Sequence, residues 1–78
     1  MLKADWKNRI VSVPDIMFGK PVIKGTRVPV ELIIEKLAAG RTIEQLLISY
    51  PHLVADDIYA CLAYAATSLK NVVAYEIA

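Results

Sequence analysis

The sequence has one cysteine, Cys61, and one histidine, His52. A lone cysteine excludes an internal disulfide and fits a reducing compartment, so a cytoplasmic protein is expected. His52 has no second histidine and no nearby cysteine, and metal sites need clustered ligands, so no metal is expected. Long apolar runs are missing as well. The longest helical stretch free of charge, Ile58 to Leu69, falls well short of the ~20 residues that cross a bilayer, so no membrane span is expected. Met1 to Arg9 contains Lys3, Asp5, Lys7 and Arg9 and no apolar core stretch, so no secretory signal is expected either. There are no paired carboxylates, no Ser/His/Asp set and no glycine loop for phosphate, so no catalytic residue and no cofactor is assigned. The expectation is a binding protein and not an enzyme.

What is present is apolar surface. Of 78 residues, 56% are hydrophobic, above the ~45–50% of a typical globular chain. A single small domain buries a smaller share of its surface than a large one, so part of this apolar excess is expected against a second chain, as a homodimer or larger assembly. Net charge is only +1, but it is polarised. Eight of the nine basic residues precede residue 42, against four of the eight acidic ones, and only Lys70 follows. A polyanion should therefore meet the N-terminal half.

Along the chain, residues 1–8, with Lys3, Asp5, Lys7 and Asn8 around one Trp6, read as a loosely ordered start. Residues 9–29 read as short extended pieces: Arg9 to Val13, closed by Pro14-Asp15, and a Gly- and Pro-containing stretch that turns at Lys24-Gly25. Three helices follow over residues 30–69. In Val30–Ala39, the residues Val30, Ile33, Ile34, Leu37 and Ala38 recur as one apolar stripe, and Gly40 is the stop. In Ile43–Tyr50, the Thr42/Gln45 pair predicts a capping box, and Pro51 ends the helix. In Ala55–Leu69, Ile58, Cys61, Leu62, Ala65, Ala66 and Leu69 are expected to face inward. Cys61 is thereby read as a small core residue. Residues 70–78 form a β-prone tail. The pattern is that of one mostly α domain over residues 1–78, a helix-turn-helix bundle preceded by short strands.

The run Gly19-Lys20-Pro21-Val22-Ile23-Lys24-Gly25-Thr26-Arg27-Val28-Pro29-Val30 resembles the signature of a bacterial family, domain of unknown function 433. The likeness continues through Ala38-Ala39-Gly40, Tyr50-Pro51-His52-Leu53, Asp57-Ile58 and Ala60 to Ala66, and covers roughly residues 9–68. The resemblance implies a homeodomain-like or winged-helix-like bundle. It also implies an antitoxin-type role in a toxin–antitoxin pair beside a PIN-like ribonuclease toxin, with promoter DNA as a further candidate partner. A stand-alone DNA-binding transcriptional regulator is the alternative. The chain departs from the family pattern at Val54, where Thr or Ser usually caps the third helix, and at Tyr59, where the family often has a basic or polar residue.

Two groups of residues are candidate sites. Lys20, Lys24 and Arg27, on the Gly/Pro-rich turn, with Arg9 in support, are the candidate nucleic-acid contacts, because phosphate contacts dominate nucleic-acid affinity. Arg27 has an internal alternative, pairing with Glu31 or Glu35. The third helix lacks the Arg, Lys, Asn or Gln that read bases, and Asp56 and Asp57 would repel phosphate. Its Tyr59, Ala60, Ala63, Tyr64 and Thr67 are therefore the candidate protein interface, with small residues for close approach and tyrosines as anchors.

Overall fold

The computed structural model describes residues 6–70. The chain begins with a 3-10 turn, Trp6–Asn8, and pairs two very short strands, β1 (Ile10–Val11) and β2 (Val22–Ile23). Three helices follow: α1 (Val30–Ala38), α2 (Ile43–Ser49) and α3 (Ala55–Lys70). The architecture is mostly helical, with a two-stranded antiparallel sheet at its N-terminal end. The register sets Ile10 opposite Ile23 and Val11 opposite Val22. The strand expected over Arg9 to Val13 is shorter than its β-prone composition, because Pro14 and the following turn leave it no partner beyond Val11.

The turn at Lys24-Gly25 forms as expected. Gly25 takes φ +80, a left-handed conformation that glycine adopts at little cost. The Thr26 and Ile23 backbone N–H groups donate to the Ile23 and Val28 carbonyls, and Val22 bridges to Pro29. The chain then enters α1 directly, with Pro29 at the N-cap. At the other end of α1 the Gly40 N–H donates to Leu37 and the Arg41 N–H to Lys36. This is the Schellman arrangement, with Gly40 at φ +97. The Thr42/Gln45 capping box is present in both directions at 3.1 and 2.9 Å.

One core holds these elements together. Ile10 and Ile23 from the sheet, Val30 and Ile33 from α1, Leu46 from α2, Leu53, and Ile58, Ala60 and Cys61 from α3 form the buried cluster. Ile34, Leu37, Ile43, Leu47 and Tyr50 pack against it, so the stripes on α1 and α2 face inward as their spacing predicts, Ala38 apart, which is exposed.

The third helix is turned differently from its expected orientation. Ile58 and Cys61 are buried, but so are Ala60 and Ala63, whereas Leu62 is 41% and Leu69 72% exposed. With no charge between Asp57 and Lys70, both faces were apolar enough to be buried, and the sequence pattern held no asymmetry to choose between them. Packing chose the small side, because alanines let the helix lie close to the sheet and the 3-10 turn. The loosely ordered start expected over residues 1–8 is also different where it is described. Trp6 sits edge-on to Tyr64, ring centroids 4.8 Å apart, and its Nε1–H donates to Thr67 Oγ1 at 3.2 Å. The tail expected over residues 70–78 lies outside the described residues, except Lys70, which ends α3.

Candidate functional site

The entry to α3 is the most densely wired polar point of the described residues. Helix α3 begins at Ala55, so Val54 occupies the N-cap and Asp57 the third helical position. Asp57 Oδ2 accepts the Val54 backbone N–H at 2.9 Å, and Asp57 Oδ1 accepts Arg9 Nη1–H at 3.0 Å. Arg9 Nη2 also lies 3.8 Å from Asp56. Arg9 therefore ties the start of the sheet to the first turn of α3, and both acidic residues there are answered by one guanidinium. The network forms half of a capping box. The carboxylate reaches back to the N-cap N–H, but Val54 has no side-chain oxygen, so the Asp57 N–H turns to the Val54 backbone carbonyl at 2.9 Å. Val54 is half exposed, so a hydroxyl fits without repacking. Val54→Thr is expected to raise stability by about 1 kcal/mol. Urea unfolding of the two proteins checks this, and an unchanged midpoint would show that the Val54 methyls already contribute as much by packing.

The four basic residues proposed to meet nucleic acid fall into two classes. Arg9 is partly buried and committed to Asp56 and Asp57. Lys20 Nζ lies 2.6 Å from Glu31 Oε1, and that hydrogen bond, with the carboxylate charge, holds its ammonium above the usual lysine range. Lys24 and Arg27 are exposed and have no ion pair among the described residues. The internal alternative for Arg27 is thus not formed as a contact, although Arg27 lines the same concavity as Glu31 and Glu35. It is Lys20 that takes Glu31. The structure leaves two unpaired cations on the turn where the sequence offered four candidates.

The residues proposed as a protein interface are placed mainly inside. Ala60 and Ala63 are buried within the chain, Tyr64 packs on Trp6, Thr67 accepts the indole N–H, and Tyr59 is half-buried. This corrects the assignment of the face. The side open to a partner carries Leu62 and Leu69, which had been expected in the core. Cys61 is fully buried, and burial, with the nearby Asp57 charge, pushes its thiol up to about 12. That suits an inert core residue.

The sequence pattern did not single out Phe18, the largest exposed apolar side chain among the described residues. It is 98% exposed, on a loop where Met17 and Phe18 both take positive φ, at 50° and 58°. The available signal was weak: the single phenylalanine of the chain placed beside Gly19 in a loop.

Comparison with known proteins agrees with this architecture. The model of one family, Protein of unknown function (DUF433), matches residues 10–65. The chain belongs to the DUF433 family. A DUF433 member from Anabaena variabilis ATCC 29413 has a crystal structure similar to this one, with a TM-score of 0.77 and 30% identity, over 82% of this chain and 63% of that one. The chain is also 43% identical over 56 residues to the uncharacterized protein y4eO of Sinorhizobium fredii (strain NBRC 101917 / NGR234). That match takes in 72% of this DUF433 chain but spans only a quarter of the relative's length. The matched region begins at β1 and ends inside α3, so the sheet, the Lys24-Gly25 turn and the start of α3 all lie within it.

Proposed function

We propose that this DUF433 protein is an antitoxin-like binding protein that engages a PIN-like ribonuclease toxin through the outer side of α3. The observation that carries the reading is the exposure of Leu62 and Leu69 on a helix with no charge between Asp57 and Lys70. Leu62 and Leu69, seven residues or two turns apart, lie on one side of the helix and make a stripe that a partner surface can cover. In this reading the three helices serve as a helix-turn-helix-type scaffold, homeodomain-like in plan, acting in the cytoplasm. Promoter DNA is a secondary partner, because two of the four basic candidates are already paired within the chain.

The test is co-expression with a PIN-like ribonuclease toxin. Wild type should co-purify with it and restore growth. Leu62→Glu/Leu69→Glu should lower the affinity by at least 100-fold while its thermal melt stays within a few degrees of wild type. A variant that still neutralises the toxin would move the contact off α3. One observation favours the alternative, a stand-alone DNA-binding regulator: Lys24 and Arg27 are exposed on the β2–α1 connection and form no ion pair among the described residues. If that alternative holds, Lys24→Ala and Arg27→Ala should each lower the slope of log affinity against log salt by about one unit.

A further inference from the structure

The loop before β2 holds a backbone that needs an explanation. Met17, Phe18 and Gly19 take φ 50, 58 and 82 in succession, and left-handed conformations in non-glycine residues persist only where surrounding structure imposes them. Here it does. The Ile16, Gly19 and Lys20 N–H groups donate to the Val13, Ile16 and Met17 carbonyls at 3.0 to 3.1 Å. The Ser12 hydroxyl donates to the Gly19 carbonyl. The outcome of this fixed geometry is an aromatic ring held almost wholly in solvent. An exposed aromatic on a rigid support is the kind of anchor that dominates protein interfaces.

The same molecule carries a matching socket. A groove of about 470 Å³ between α1 and α3 is lined by Pro21, Val30, Ile34, Tyr64 and Ala65, with Glu31 and Glu35 at its α1 side. Lys20, Glu31 and Glu35, which all line that groove, also line a second concavity with Met17 and Arg27. Glu31 is taken by Lys20, whereas Glu35 and Arg27 form no ion pair among the described residues. The loop that carries Phe18 thus lines one concavity with Arg27 through Met17, and an apolar groove bordered by Glu35 adjoins it. The two halves share the Glu31–Glu35 edge, which is the layout of a self-complementary patch around a twofold axis.

We propose that the Met17–Gly19 loop is a dimerisation arm. Phe18 of one copy enters the α1–α3 groove of a second copy, Arg27 meets that copy's Glu35, and the exchange is reciprocal. The groove takes in Tyr64 and Ala65 of α3 and so borders the Leu62/Leu69 stripe, but Phe18, Arg27 and Glu35 lie off that helix, and their test needs no toxin. It also gives a specific place to the second chain that the apolar excess called for.

The test is light scattering on the full chain over a dilution series, with three comparisons. Wild type should show twice the 8.6 kDa chain mass at micromolar concentration. Phe18→Gly should be monomeric there, with at least a 100-fold weaker association, yet should melt no lower than a wild-type sample diluted to monomer, because glycine relieves the left-handed backbone. Arg27→Glu and Glu35→Arg should each be monomeric alone. Mixed in equal amounts they should form a heterodimer, since every cross-chain pair is then complementary. A wild-type monomer throughout, a Phe18→Gly variant that still dimerises, or a mixture that stays monomeric would each overturn the proposal. In the second case the patch would be left to an occupant other than a second copy.

Discussion

Asp57→Ala is expected to lower the unfolding free energy by about 3 kcal/mol, a large share of the stability of a chain this short. The carboxylate has two tasks. It accepts the Val54 N–H at the start of α3, and loss of a capping acceptor costs roughly 1 kcal/mol. It also accepts a charge-assisted hydrogen bond from Arg9, a kind worth about 1.5–3 kcal/mol. The upper end does not apply, because the Arg9 side chain is 37% exposed and water can replace part of what it loses. Asp57→Asn separates the two terms: its amide oxygen can still cap Val54, so it should cost roughly half as much. In thermal melts the Ala variant should fall by roughly 12–24 °C, at about 4–8 °C per kcal/mol for a domain of this size. If both variants stayed within half a kcal/mol of wild type, the Arg9–Asp57 tie would not be holding the sheet to α3.

Ile58→Ala should be costlier still. Ile58 is fully buried in the cluster that joins the sheet to all three helices. Cutting a core isoleucine to alanine costs about 2–5 kcal/mol, rising with the cavity left behind. A chain of this length has a total stability of roughly 4–12 kcal/mol, so the variant should be largely unfolded on modest heating. The near-ultraviolet circular dichroism of the Trp6–Tyr64 pair, which reports the docking of the 3-10 turn on α3, should disappear at the lowered temperature. Leu69→Ala is the matched control on the same helix. At 72% exposure it should change stability by no more than about 0.5 kcal/mol. Equal costs for the two would mean that α3 is rotated from the orientation described.

These two results bear directly on function, because the surface α3 presents is set by what seats it. Ile58, Ala60 and Cys61 turn inward, and Arg9 and Trp6 fix the helix at its first turn and near its end. Leu62 and Leu69 are left outside as a consequence. A toxin-binding or dimer-forming surface would be lost indirectly if that seating failed. The functional variants therefore change only exposed residues: Leu62, Leu69, Phe18, Lys24, Arg27 and Glu35.

Local signals in the sequence determined the family, the number of helices and nearly all their ends. Gly40 marks the end of α1 because only a left-handed residue closes that arrangement cheaply. Thr42 and Gln45 mark the start of α2 because their side chains satisfy backbone groups within one turn. The stripes on α1 and α2 point inward because charged and polar residues fill most of their other faces, Ile48 apart, which stays 79% exposed. What only the tertiary structure decided depends on contacts between distant residues. Arg9 and Asp57 are 48 positions apart, and Trp6 and Thr67 are 61 apart. No periodicity encodes such pairings, so Arg9 was legible as a free cation and Asp57 as a repulsive carboxylate when each neutralises the other. The orientation of α3 is the same case. Alanine and leucine alike are apolar, so hydrophobic pattern could not choose between faces. Tertiary packing put the smaller side chains in the interior and left Leu62 and Leu69 exposed.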